Sequence, residues 1–247
     1  MARTLNWMWV APVLAVATAC GSAPETVGQV RDRYRPQVNT LRTQLKALHG
    51  KIPGVASGMT ARLDPAPIYN EDGSGNTDFL PLEKLLDGDT VPSVDLGLSR
   101  DVATALSWTG AASLEDPSAR RSATPDIEKT FQHALATRYL VVYRASKVRV
   151  TGQRNVYQGG DTTVDAFVVD LKANTIVASL SAKGSSAGPI TVDLPAGGRR
   201  NQYAEDMLYG AAIDEIKKEF ADKLGPATGG SFGISTKSKG VLAASAP

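Results

Sequence analysis

Cysteine is nearly missing from these 247 residues: there is one, Cys20, beside only two histidines, His49 and His133. A single cysteine cannot close an intramolecular disulfide, build a Cys-rich zinc site or ligate an iron–sulfur cluster. Two histidines leave little for a histidine-based metal centre. Neither sign of charge is in excess. The 27 Lys and Arg against 25 Asp and Glu give a formal charge of +2, too weak a field to gather nucleic acid or an acidic membrane. No apolar run reaches the roughly 20 residues that span a bilayer. No P-loop, no G-x-G-x-x-G and no internal repeat occurs. What is there, 42 % hydrophobic and 21 % charged residues, is the composition of a folded domain.

The cysteine has a telling position. Residues 1–20 read MARTLNWMWVAPVLAVATAC. Arg3 is a short basic n-region, and Trp7 to Val16 form an apolar core of secretory length. Ala17-Thr18-Ala19 places small residues just before Cys20. This stretch resembles the signal peptide and lipobox of bacterial lipoproteins. The resemblance implies cleavage before Cys20, diacylation of its sulfur, and a cell-envelope location. Gly21 rather than Asp follows the cysteine, which in the sorting logic of that family favours the outer membrane, facing the periplasm. Ala17-Thr18-Ala19 also meets the small-x-small rule of ordinary signal peptidase, which would release the protein, and an uncleaved anchor is a third reading. Removing residues 1–19 takes away Arg3, Trp7 and Trp9, so the mature chain keeps Trp108 as its one tryptophan.

The mature chain is expected to form one domain over residues 26–225. A tether, 20–25, precedes it and a disordered tail, 226–247, follows. Val27, Val30, Tyr34, Val38, Leu41, Leu45 and Leu48 recur at steps of three and four, which is helical spacing. Pro36 predicts a kink or a restart, and Gly50 a stop. The Gly- and Pro-rich stretch 50–78 reads as loop, with short helices at Leu80–Leu86 and Leu98–Trp108. A helix opens at Thr124-Pro125. Strands are expected at Tyr139–Val150, with a slip near Ser146, at Thr163–Leu171, at Thr175–Lys183 and briefly at Ile190–Leu194. Gln158-Gly159-Gly160-Asp161 reads as a turn. The long closing helix, Asn201–Leu224, ends at Gly225-Pro226. The fold class is therefore α+β: an antiparallel meander of three to four strands, helices packed on one face, and an N-terminal helix in front. The sheet face of Phe167, Val169 and Leu171 should be buried.

Chemistry is sparse. Two G-x-S-x-G segments occur, Gly184–Gly188 and Gly229–Gly233, but no histidine follows residue 133 to serve as a base. Asp72, Ser74, Asn76 and Glu83 fall at oxygen-ligand positions of a calcium loop. Thr77 stands where that loop needs glycine, and Pro81 lies inside it, so a plain acidic loop is the alternative. Arg144, Lys147, Arg149 and Arg154 form a basic stretch around one strand, read as a solvated edge. Trp108, Tyr139 and Tyr143 are candidate aromatic pocket contacts. No catalytic residue and no cofactor is implied, and nucleic acid is not an expected partner. The sequence points to a non-catalytic, membrane-anchored lipoprotein that binds a partner protein or an envelope polymer. The alternatives are a periplasmic solute-binding or sensing lipoprotein and, further off, a hydrolase.

Overall fold

The computed structural model describes residues 25–86, 94–110, 124–146, 149–153, 155–186, 188–193 and 198–235. The expected signal peptide with Cys20, the basic residues Lys147 and Arg154, and residues 236–247 of the expected disordered segment lie outside the described residues.

Helix α1, Val27–His49, runs through Pro36 as one helix and stops at Gly50. Thr26 caps it: its Oγ1 accepts from the Gln29 N–H while the Gln29 side chain takes the Thr26 N–H, a reciprocal capping box. Val30, Val38, Leu45 and Leu48 are wholly buried, so the stripe packs on its own domain. Strand β1, Ile68–Asn70, and strand β2, Thr77–Pro81, follow. A 3-10 turn at Leu82–Leu85 comes next, then α2, Asp101–Gly110, and α3, Thr124–Ala136. The expected helix at Leu80–Leu86 is thus half strand, because Phe79, Leu80 and Pro81 pair alongside the next strand.

Strands β3, Tyr139–Ala145, β5, Val156–Asp170, and β6, Thr175–Gly184, form the antiparallel meander. The slip near Ser146 is a break, and β4, Arg149–Gln153, begins beyond it. Gly159-Gly160 is not a turn. Both glycines have positive φ inside β5, and the register with β4 shifts there, so the pair bends one long strand. The N-terminal half of β5 pairs with β4 and with β7, Ile190–Thr191. The turn after β5 is held by Asp170, whose carboxylate accepts from the Lys172 and Ala173 N–H groups and from the Arg138 guanidinium.

The protein is α+β, and the structure extends the expected meander in two respects. First, β2 joins β3 in parallel. A parallel neighbour requires a crossover, and α2 and α3 supply it. Second, helices cover both sheet faces. Along β3, Tyr139, Val141 and Tyr143 enter the core under α4, Gly198–Thr228, while Leu140 and Val142 enter the core under α1, α2 and α3. Phe167, Val169 and Leu171 are buried as expected, and so are Ala166 and Val168 on the opposite face. Helix α4 presses closely on β6. A Cβ built on Gly184 would lie 2.1 Å from the Ala212 carbonyl oxygen and 2.7 Å from Ile216 Cγ1. Gly184→Ala should therefore force helix and strand apart and cost about 1–3 kcal/mol in urea unfolding; an unchanged midpoint would show that the helix moves freely.

The expected domain end at residue 225 needs correction, as does the disorder expected from 226. Helix α4 continues through Pro226 to Thr228. Its last carbonyls, on Ala227 and Thr228, accept from the Ala61 and Leu63 N–H groups at 2.9 and 3.0 Å. Pro226 withholds an N–H from the carbonyl one turn back, a loss confined to the helix's last turn, while the Ala61 and Leu63 donors satisfy the terminal carbonyls that any helix leaves open. Strand β8, Ser231–Gly233, then pairs with β1, and Phe232 and Ile234 are buried.

Candidate functional site

On the sheet face opposite α4, direct cross-strand neighbours divide into two zones. One zone is apolar: Leu140 and Val169 lie under the helices. The α1–β1 connector seals its upper border. Arg144 donates to the Pro53 and Gly54 carbonyls, and the Ser57 and Met59 N–H groups reach Ser179 Oγ at 3.2 and 3.3 Å. Above the connector the rows turn polar. Arg144, Asp165 and Ser181 share one row, and Thr163 and Lys183 share the next. Ser146 stands beside Thr163, whose N–H donates to Ser146 Oγ at 2.9 Å.

A cleft of about 770 Å³ opens at this corner, bordered by Asp161, Thr163, Lys183, Ser185, Glu215 and Glu219. Glu215 Oε2 accepts from the Ser185 N–H at 2.5 Å, and Glu219 Oε2 accepts from the Lys183 N–H at 2.9 Å. Burial pushes the Glu219 carboxyl up, but hydrogen bonds from Lys223 and from the Lys183 N–H outweigh it and hold the group below its ordinary value. Both carboxylates thus accept from the β6 edge, and Glu219 also accepts from the Lys223 ammonium at 2.7 Å.

A second polar cluster surrounds Asp78, which is buried on β2. Its Oδ1 accepts from its neighbour Phe79 N–H at 2.7 Å and its Oδ2 from the Val102 N–H at 2.8 Å. The second bond caps the first turn of α2 from another element. Burial pushes this carboxyl up to about 6, against the pull of both N–H groups. Nearby, Arg100 lies over the Tyr69 ring at 5.4 Å and donates to the Asn70 carbonyl. His133 Nδ1 is 3.5 Å from Asp101 Oδ2. Three tyrosine hydroxyls pin the chain leading into α2. Tyr209 accepts from the Asp95 N–H, Tyr143 accepts from the Leu96 N–H, and Tyr69 donates to the Leu98 carbonyl. Desolvation raises the Tyr69 and Tyr143 phenols, so both remain hydroxyls at neutral pH.

The candidate calcium ligands are not brought together. Asp72 Oδ1 accepts from the Ser74 N–H and Oγ at 2.8 and 2.7 Å. The Asn76 side chain accepts from the Ile68 N–H and donates to the Ala66 carbonyl. Glu83 sits in the 3-10 turn on the far side of β2, and an extended strand cannot fold back to close a loop. Among the described residues no group of three or more His, Cys, Asp or Glu could hold a metal ion. The two G-x-S-x-G serines lie apart from any histidine contact: Ser186 donates to the Gly159 carbonyl, and Ser231 is an exposed residue of β8. The aromatic candidates are structural. Tyr139 donates to the Pro65 carbonyl at 2.8 Å, and Trp108 packs edge-on to Phe131. Sequence reasoning missed both Asp78 and the Glu215–Glu219 pair. The four-residue spacing of the two glutamates was visible, but their strand partners were not.

Among the described residues no helix is long and apolar enough to cross a membrane. No protein-family model matches this chain, and no curated protein or solved structure does either.

Proposed function

We propose that this chain is an envelope lipoprotein, anchored through lipid on Cys20, whose α+β domain works by binding a partner protein or envelope polymer rather than by catalysis. The observation that carries the anchor is the sequence Ala17-Thr18-Ala19-Cys20, ending six residues before the capping box of α1 at Thr26. Six extended residues span at most about 20 Å, so the lipid holds the domain close to its membrane. One acyl chain binds marginally and two or more anchor stably. The mature charge near zero adds little, which leaves retention to the lipid. Gly21 favours the outer membrane, facing the periplasm. The binding reading draws on the polar zone: its carboxylates accept from backbone groups, and its cleft lies open beside a strand edge.

Cys20→Ala tests the anchor. The variant is expected to lose fatty-acid labelling and to move from the detergent phase to the aqueous phase in a partition assay. Labelling that survives the substitution overturns the lipoprotein reading.

A further inference from the structure

Among the described residues strand β6 is an edge. Its inner side pairs with β5, and along its outer side the backbone groups of alternate residues face away from the sheet. At Ser179 that outer side is sealed by backbone, since its N–H donates to the Met59 carbonyl at 2.8 Å. From Ser181 to Ser185, among the described residues, it is sealed by side chains of α4. Lys223 Nζ donates to the Ser181 carbonyl at 3.3 Å, Glu219 takes the Lys183 N–H, and Glu215 takes the Ser185 N–H. The match has a simple origin. Four helical residues rise about 6 Å and two strand residues about 6.8 Å, so one helix stripe keeps step with every second strand residue. Helix α4 thereby stands in for a missing strand with three exchangeable charged groups.

We propose that this stretch, Ser181 to Ser185, is a strand-addition site for an extended, basic segment of a partner polypeptide. The incoming backbone would take over the three edge bonds, and the displaced Glu215 and Glu219 would pair with its basic side chains. The cleft beside the edge provides the room, and Asp161, Glu215 and Glu219 on its border outnumber Lys183 and the adjoining Lys223, which favours a basic segment. A second copy of this chain fits less well. Antiparallel self-pairing centred on Lys183 would set that lysine directly opposite its twin, and like charges in such pairs are destabilising. The inference rests on the reading of the domain as a binding module, and it is independent of the lipid on Cys20.

The test uses the full mature chain in detergent. The probe is a capped octapeptide of alternating Thr and Lys, beside the same peptide N-methylated at alternate amides and a Thr–Glu counterpart. The expected result is binding of the basic peptide with protection of the Lys183 and Ser185 amides from hydrogen exchange. N-methylation and Lys183→Pro should each weaken it about tenfold or more, through lost backbone bonds. The β5 pairing survives proline there because that N–H points away from β5 and serves only Glu219, and a single cooperative thermal transition would confirm the fold. Three results overturn the proposal: no binding, equal binding of the methylated or acidic peptide, or dimerisation of the chain that Lys183→Pro abolishes. A Cys20→Ala chain should bind the peptide equally well, which separates this outcome from the fate of the anchor.

Discussion

Phe79→Ala is expected to lower the unfolding free energy by about 3–5 kcal/mol, on the scale of a fully buried aromatic truncated in a tight core. Phe79 is 0 % exposed. Its ring meets Tyr69 edge-on at 4.7 Å, stacks near Phe220 at 6.2 Å and meets Phe232 edge-on at 6.4 Å. Four elements therefore converge on one side chain: β1, β2, α4 and β8. Removing it leaves a void that cannot collapse without moving a strand or the long helix. The loss would take a large share of a typical domain's 5–15 kcal/mol. Trp108 makes the measurement informative, because it belongs to the opposite helical layer. Urea unfolding followed by Trp108 fluorescence and by far-UV circular dichroism should shift together in the variant. A loss below about 1.5 kcal/mol would mean that the cluster repacks. Transitions that separate would mean that the two layers unfold independently.

The same cluster shows where sequence reading stops. The α1 stripe was legible because its apolar steps and Gly50 are local signals, and the meander because short turns force antiparallel neighbours. Helices were expected on one face of the sheet and lie on both; the unbroken apolar run Tyr139–Tyr143, buried on both sides, is the local signal that the one-face expectation passed over. Gly159-Gly160 misled because a glycine pair suits a turn and a bulge equally, and only the pairing of β5 with β4 decides between them. Phe232 and Ile234 were hidden in a segment rich in Gly and Ser. Their order depends on β1, which lies far away in sequence and was itself read as loop. The polar site was least legible. Asp78 caps a helix 24 residues downstream, and Glu215 and Glu219 reach a strand 30 and 36 residues upstream. No local pattern encodes such pairings.

Between pH 7.5 and pH 4.5 the protein should become more stable, and Asp78→Asn should remove that gain. Burial raises the Asp78 carboxyl from 3.8 to about 6. A group whose pKa is raised by folding holds its proton more tightly in the native state. Its stabilising contribution is complete below its unfolded value and is lost as pH rises through the folded one. The gap between 3.8 and about 6 corresponds to about 3 kcal/mol at most. Asp170 and Glu219 act with the opposite sign. Both are held below their ordinary values, so their contribution is present above the ordinary carboxylate range and fades only in stronger acid. The interval from about pH 4.5 to 6.5 thus belongs mainly to Asp78. The two N–H groups that it accepts, from Phe79 and Val102, favour the ionised form, as does the positive end of α2. Desolvation outweighs them, so at neutral pH the charge is kept at a cost, in exchange for a filled cap on α2. Asparagine cannot ionise and accepts through a single oxygen, so one of the two N–H groups loses its partner and the absolute stability shifts by that loss. The slope is the diagnostic quantity. Urea midpoints measured across this interval should rise toward acid for the wild type and stay flat for Asp78→Asn, and parallel profiles would show that the carboxyl titrates as it does in water.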